Sequence, residues 1–152
     1  NGGAWSFIQN KEDYTAYDLT QPVIANYVCL RPTTADNTST NYYSFTLYNA
    51  SHSIVATTGA IHGSTFASSA AMLCGIPLST TAILLPGRYY ASFTTNCSTS
   101  CAALSMSQNV IASPVVAYAG NATVNGIPNT TISPPASSWA TTSVAPWFEV
   151  HQ

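Results

Sequence analysis

Residues 41–49 read NYYSFTLYN, and residues 87–95 read GRYYASFTT. In an extended chain successive side chains point to opposite sides. Tyr43, Phe45 and Leu47 therefore share one side of the first stretch, and Tyr42, Ser44, Thr46 and Tyr48 share the other. In the second, Tyr89, Ala91 and Phe93 alternate with Arg88, Tyr90, Ser92 and Thr94. An apolar side and a more polar side at period two mark a half-buried strand.

Outward from these two stretches the pattern repeats. In CAALSMS (101–107), Ala102, Leu104 and Met106 alternate with Cys101, Ala103, Ser105 and Ser107. PVIANYVCL (22–30) is apolar on both sides and reads as a more central strand. SIVATTG (53–59), AAMLCGIPL (70–78), SPVVAYAG (113–120) and APWFEV (145–150) complete about eight to ten short strands. Turn residues separate them at intervals typical of a sandwich. The best helical candidate, TFASSAAM (65–72), is short. NGIPNTTISPPASS (125–138) reads as a long loop or an extended edge segment. The predicted fold is an all-β, antiparallel β-sandwich, jelly-roll-like, over residues 21–152. A chain of 152 residues can bury one sufficient core.

Residues 1–20 differ from the rest. They hold four of the eight charges, and an apolar patch of Trp5, Phe7 and Ile8. Two readings stand: a terminal strand of the same sheet, or an arm through which Trp5, Phe7 and Ile8 contact a neighbouring subunit. The chain opens on Asn1-Gly2-Gly3, with no initiator Met and no apolar leader run, the pattern of a processed or excised chain.

Only 5% of residues are charged, against about 25% in ordinary soluble domains. From Asn37 onward only Arg88 and Glu149 remain. There is no basic patch for a phosphate backbone, so nucleic acid is not an expected partner. No apolar run approaches the roughly 20 residues of a membrane span. Such a surface suits secretion, glycan cover or burial in an assembly. Acceptor triplets for N-glycosylation begin at Asn37, Asn49, Asn96, Asn121 and Asn129. With eleven Asn and a quarter of the chain Ser or Thr, about three would arise by chance, so five is a modest excess. Asn-Ser-Thr tracts also make turns.

The four cysteines, Cys29, Cys74, Cys97 and Cys101, allow three pairings. Their spacings are not those of a zinc finger, and a CxxC is absent. Cys97 and Cys101 flank Ser-Thr-Ser between two alternating strands, so a bridge across the mouth of a short loop is expected. Cys29 and Cys74 then pair between strands, which implies an oxidising compartment.

Catalytic signals are weak. Glu12 and Asp13 are adjacent, so on a strand they face opposite ways. No nucleophile elbow, HExxH, phosphate loop or EF-hand pattern occurs. His52 in NASHS and His62 in AIHGS read as turn residues, as does Asp36 in TADNTSTN, with a share in a Ca²⁺ loop as its alternative role. No cofactor or metal is expected. Tyr42, Tyr48 and Tyr90 fall on the less apolar sides of their strands, where they could stack on sugar rings or anchor a protein partner.

Three pieces occur in a suggestive order: LYNASHSIVATTG (47–59), LLPGRYYASF (84–93) and APWFEV (145–150). Together they resemble the β-sandwich modules of bacteriophage tail and capsid-surface proteins and of bacterial surface proteins. That resemblance implies a structural or adhesive protein and carries no catalytic residues. The chain departs from it in the turn Asn49–His52 and in its cysteines. The expected function is a non-enzymatic extracellular structural subunit of a fibre or pilus-like appendage, partnered by copies of itself. The alternatives are a phage tail or capsid-decoration protein and a carbohydrate-binding adhesin or lectin module.

Overall fold

The computed structural model describes residues 4–6, 9, 11–68, 71–107, 115–120, 123–124, 127–128, 140–141, 145–146 and 148–152. Its strands are β1 (Ala4–Ser6), β2 (Lys11–Leu19), β3 (Val23–Leu30), β4 (Pro32–Thr34), β5 (Tyr42–Asn49), β6 (Ile54–Thr57), β7 (Ile61–His62) and β8 (Leu73–Leu84). They continue with β9 (Gly87–Thr95), β10 (Ala103–Ser107), β11 (Val115–Gly120), β12 (Thr123–Val124), β13 (Ile127–Pro128), β14 (Ala140–Thr141), β15 (Ala145–Pro146) and β16 (Phe148–His151). Nine of these sixteen run four residues or longer, the number of strands the sequence pattern predicts; the other seven are brief pairings of two or three residues.

The two opening stretches, β5 and β9, lie side by side in an antiparallel sheet of seven strands. Its order is β14-β11-β2-β9-β5-β6, with β7 also on β5. A three-stranded antiparallel sheet, β16-β3-β8, supplies a second layer. A third sheet joins β1, β4 and β15 to β10, and β12 pairs with β13.

The apolar sides of these layers form one core. Tyr43, Phe45, Leu47, Ala91 and Phe93 from the seven-stranded sheet are buried together with Ala25, Val28, Leu30, Ile76, Leu78 and Leu84 from the three-stranded sheet. Phe148 of β16 bridges the layers, with ring centroids 5.2 Å from Phe45 and 6.0 Å from Phe93. Phe45 and Phe93 themselves lie 5.1 Å apart, edge to face. Each fully buried large side chain is worth about 1.5–3 kcal/mol, and each aromatic pair about 0.5–1.5 kcal/mol more.

Three expectations are corrected. The polar side of β5 is not wet: Ser44, Thr46 and Tyr48 are as buried as the apolar side. β5 is an interior strand with both faces covered, and the backbone of β13 runs within 8 Å of β5 and β9. Among the described residues of 65–72 there is no α-helix; the chain makes a 3₁₀ turn at Gly63–Phe66, which delivers Phe66 to the core against Tyr43. Residues 11–19 are a strand, but an interior one, hydrogen-bonded to β9 on one side and β11 on the other. Residues 4–6 are also paired within the chain, Trp5 lying opposite Leu104. Phe7 and Ile8 lie outside the described residues, as does much of 125–138.

Candidate functional site, the outer face of the three-stranded sheet

Both predicted disulfides are present, Cys29–Cys74 and Cys97–Cys101. Their surroundings differ, and the difference locates the site.

Cys97–Cys101 closes its short loop against a buried polar knot. Asp36, only 1% exposed, is the centre of the knot. Its carboxylate accepts from the backbone N–H of Thr38 (2.7 Å), the Asn41 amide (2.8 Å) and the Tyr43 hydroxyl (2.7 Å). The Tyr43 hydroxyl accepts in turn from the backbone N–H of Ala102 (2.7 Å). The same Asn41 amide donates to Cys97 Sγ at 3.2 Å. Gly63 is required beside it, because a Cβ there would stand 2.5 Å from the Thr38 carbonyl and 2.7 Å from Asp36 Oδ2. Burial alone would raise the Asp36 pKa, but the donors from Tyr43, Thr38 and Asn41 outweigh it and hold the carboxyl below its usual range. Asp36 is therefore buried rather than a solvated turn residue, and protein donors occupy three of its acceptor positions.

Cys29–Cys74 sits on the outer face of the three-stranded sheet. Val28 pairs with Ile76 and Leu30 with Leu73, so β8 spends three steps where β3 spends two. The extra residue is a bulge that sets Cys74 and Gly75 opposite Cys29, with Gly75 at φ +81°. Cys29 is 3% exposed, whereas Cys74 is exposed. His151 of β16 stands beside the bridge, Nε2 being 3.2 Å from Cys29 Sγ and Nδ1 3.2 Å from the Gln152 carbonyl. Its ring lies 5.8 Å from that of Tyr27. Glu149 occupies the register position opposite Cys29. The ligand atoms of Cys29, Cys74 and His151 lie within 4.8 Å of one another. Bonded sulfurs are not thiolates, so this trio is no metal centre while the disulfide stands.

At the other end of the same face, Ile24 and Ile83 form an exposed cross-strand pair with Leu85 close by in sequence. Ile83 is 71% and Leu85 61% exposed, among few exposed large apolar side chains in the described residues. Between β8 and the chain from Thr58 to Thr65 lies a cleft of about 400 Å³, lined by Cys74, Pro77, His62, Thr58 and Thr65 among others.

The remaining sequence candidates are dispersed. Tyr48 is 1% exposed and packs on Tyr14 (5.7 Å), so it offers no ring to a sugar or partner. Tyr90 pairs with Tyr48 in register and is half-buried against His52. Tyr42 is half-buried against His62 and lies six residues from Tyr48 along β5, about 20 Å at the rise of a strand. The three tyrosines do not form one platform. His52 is a turn residue, at φ 62°. His62 is instead on β7, opposite Tyr42. Glu12 and Asp13 occupy consecutive positions on β2, opposite Thr94 and Phe93.

Of the acceptor asparagines, Asn37 is exposed. Asn49 Oδ1 accepts from the backbone N–H groups of Ser51 and Ser53 and so builds the β5–β6 turn. Asn96 Oδ1 accepts from the Tyr42 backbone at 2.8 Å and its amide donates to Thr40 O at 3.4 Å. Asn121 and Asn129 lie outside the described residues. His151 was not a sequence candidate. It stands 122 residues from Cys29, and only the pairing of β16 with β3 brings them together.

No helix among the described residues is long and apolar enough to cross a membrane. Comparison with protein-family models, curated proteins and solved structures returned no match.

Proposed function

We propose that the chain is a non-enzymatic structural module of an extracellular surface assembly, with copies of itself as partners. The observation that carries the reading is the Ile24–Ile83 pair, exposed on a sheet face in a chain with eight charged residues. Exposed apolar surface of this kind is characteristic of contact sites. A net charge of −2 leaves little repulsion between two copies. The two disulfides fit work in an oxidising environment.

The fibre model needs one revision. Residues 11–19 are an interior strand, so an exchanged N-terminal arm is a poor linker, and deleting residues 1–20 removes the partner of both β9 and β11. The sheet face replaces the arm as the contact between copies. Two of the three pieces that resemble phage modules lie at turns: LYNASHSIVATTG spans the β5–β6 hairpin, and Pro86-Gly87 feeds β9.

Electron microscopy of material from the native source tests the reading. Ordered fibres or surface arrays are the expected result. Co-purification with virus particles would move the assignment to the phage alternative, and dispersed monomers that bind glycans would move it to a lectin.

A further inference from the structure

We infer that Cys29–Cys74 is an exchangeable disulfide, and that Cys74 is a site of covalent modification by a low-molecular-mass thiol. The inference is independent of how copies assemble, since this end of the sheet face is distant in register from Ile24 and Ile83.

Three features of the bridge agree. First, its two sulfurs are unequal. Cys74 is exposed and borders the cleft of about 400 Å³, a volume in the range of small-molecule sites. Cys29 is enclosed. An incoming thiolate therefore reaches Cys74, and Cys29 is the sulfur that departs. Second, the departing sulfur has a proton donor. His151 Nε2 lies 3.2 Å from Cys29 Sγ, and its Nδ1 faces the Gln152 carbonyl. A protonated imidazole satisfies both contacts as a donor, and stabilising the leaving thiolate speeds exchange. Third, the mainly apolar cleft also carries polar groups that a thiol compound could bond, Thr58, Thr65 and His62 lining it together with Cys74.

The step balances without an outside oxidant. The external thiol loses its proton to solvent and its sulfur bonds to Cys74 Sγ. The Cys29–Cys74 bond breaks, its electron pair passes to Cys29, and the new thiolate is held or protonated by His151. The products are one mixed disulfide at Cys74 and one thiol at Cys29. The titratable groups around the reacting sulfurs are His151, with Tyr27 against its ring, Glu149 in register with Cys29, and His62 in the cleft shared with Cys74; Arg31 follows β3 in sequence, and β8 itself carries no charged residue. Cys97–Cys101 differs in two respects: its outer sulfur, Cys101, is half-buried where Cys74 is exposed, and the side chain at its buried sulfur, Cys97, is the neutral Asn41 amide in place of a histidine.

The test treats the intact, oxidised protein with excess reduced glutathione, quenches with acid and maps adducts by peptide mass spectrometry. The expected first product carries glutathione on Cys74, a free thiol on Cys29 and an intact Cys97–Cys101 bond. First appearance of the adduct on Cys29, or on Cys97 or Cys101, overturns the inference, and this arm needs no variant. His151→Asn then tests the positioning role through a pH profile. Calculated per glutathione thiolate, exchange should slow about tenfold on the acid side of the imidazole range and change little at alkaline pH. A profile superimposable on that of the native protein, or a uniform shift at all pH values, removes His151 from the account.

Discussion

The two disulfides set two ways of building a cysteine bridge side by side. Cys97–Cys101 closes five residues and stands in a knot whose other members, Asp36, Asn41 and Tyr43, saturate one another. Cys29–Cys74 joins two strands across 45 positions and lies on an open face with a histidine beside it and a cleft at its rim. The first is packed among saturated polar neighbours, with Cys97 buried and Cys101 half-buried. The second constrains more of the chain yet stays accessible. Loop length and chemical access are independent properties, and here the bridge with the larger expected share of stability is also the more exposed.

The largest expected effect comes from removing that bridge. In the chain-entropy model, closing the loop from Cys29 to Cys74 is worth about 4 kcal/mol. The double substitution Cys29→Ser, Cys74→Ser should lower the urea midpoint accordingly. A loss smaller than that of the Cys97/Cys101 pair would invert the comparison.

Asp36 comes next. Asp36→Ala leaves the Tyr43 hydroxyl, the Asn41 amide and the Thr38 N–H without their acceptor, a loss of about 2–3 kcal/mol for hydrogen bonds to a charged group. Because the folded pKa is depressed, this contribution is fully present above the unfolded carboxyl pKa of about 3.9 and is lost as pH falls through the folded value. Acid titration of stability should therefore show a decline below about pH 4 that Asp36→Asn flattens.

Removing Cys97–Cys101 should cost about 2 kcal/mol by the same loop model. Combined with Asp36→Ala, the two losses should fall short of additive, since Asn41 contacts both partners. Strict additivity would separate the bridge from the knot.

The smallest effect belongs to the ion pair Asp18–Arg88. Its geometry is bidentate, at 2.5 and 2.7 Å, and hydrogen bonding to Arg88 holds the Asp18 carboxyl low, but both side chains are about half exposed. Asp18→Asn should change the melting midpoint negligibly and be insensitive to salt.

Much of the fold was legible because β-strands write their period directly. The limits of β5, β9 and β3 fall within a residue or so of the quoted stretches. Both cysteine pairings followed from hairpin spacing and elimination. What failed was the rule that a polar side is a wet side. Thr46 and Ser44 look like surface residues, yet an interior strand covered on both faces buries them, and the tyrosines sharing that side were the available sign. Asp36 was misread because a turn-like sequence does not reveal that three donors converge on its carboxylate, one of them the Tyr43 hydroxyl that Ala102 in turn supports. His151 was invisible for a different reason: its role depends wholly on the register of β16 on β3.

The claim that copies meet through the face bearing Ile24 and Ile83 is tested most directly by sedimentation velocity over a range of protein concentrations, comparing the native chain with Ile83→Lys. Native protein should associate as concentration rises, and Ile83→Lys should remain monomeric while keeping the same thermal stability. A native chain that stays monomeric throughout, or a variant that associates equally well, would contradict it.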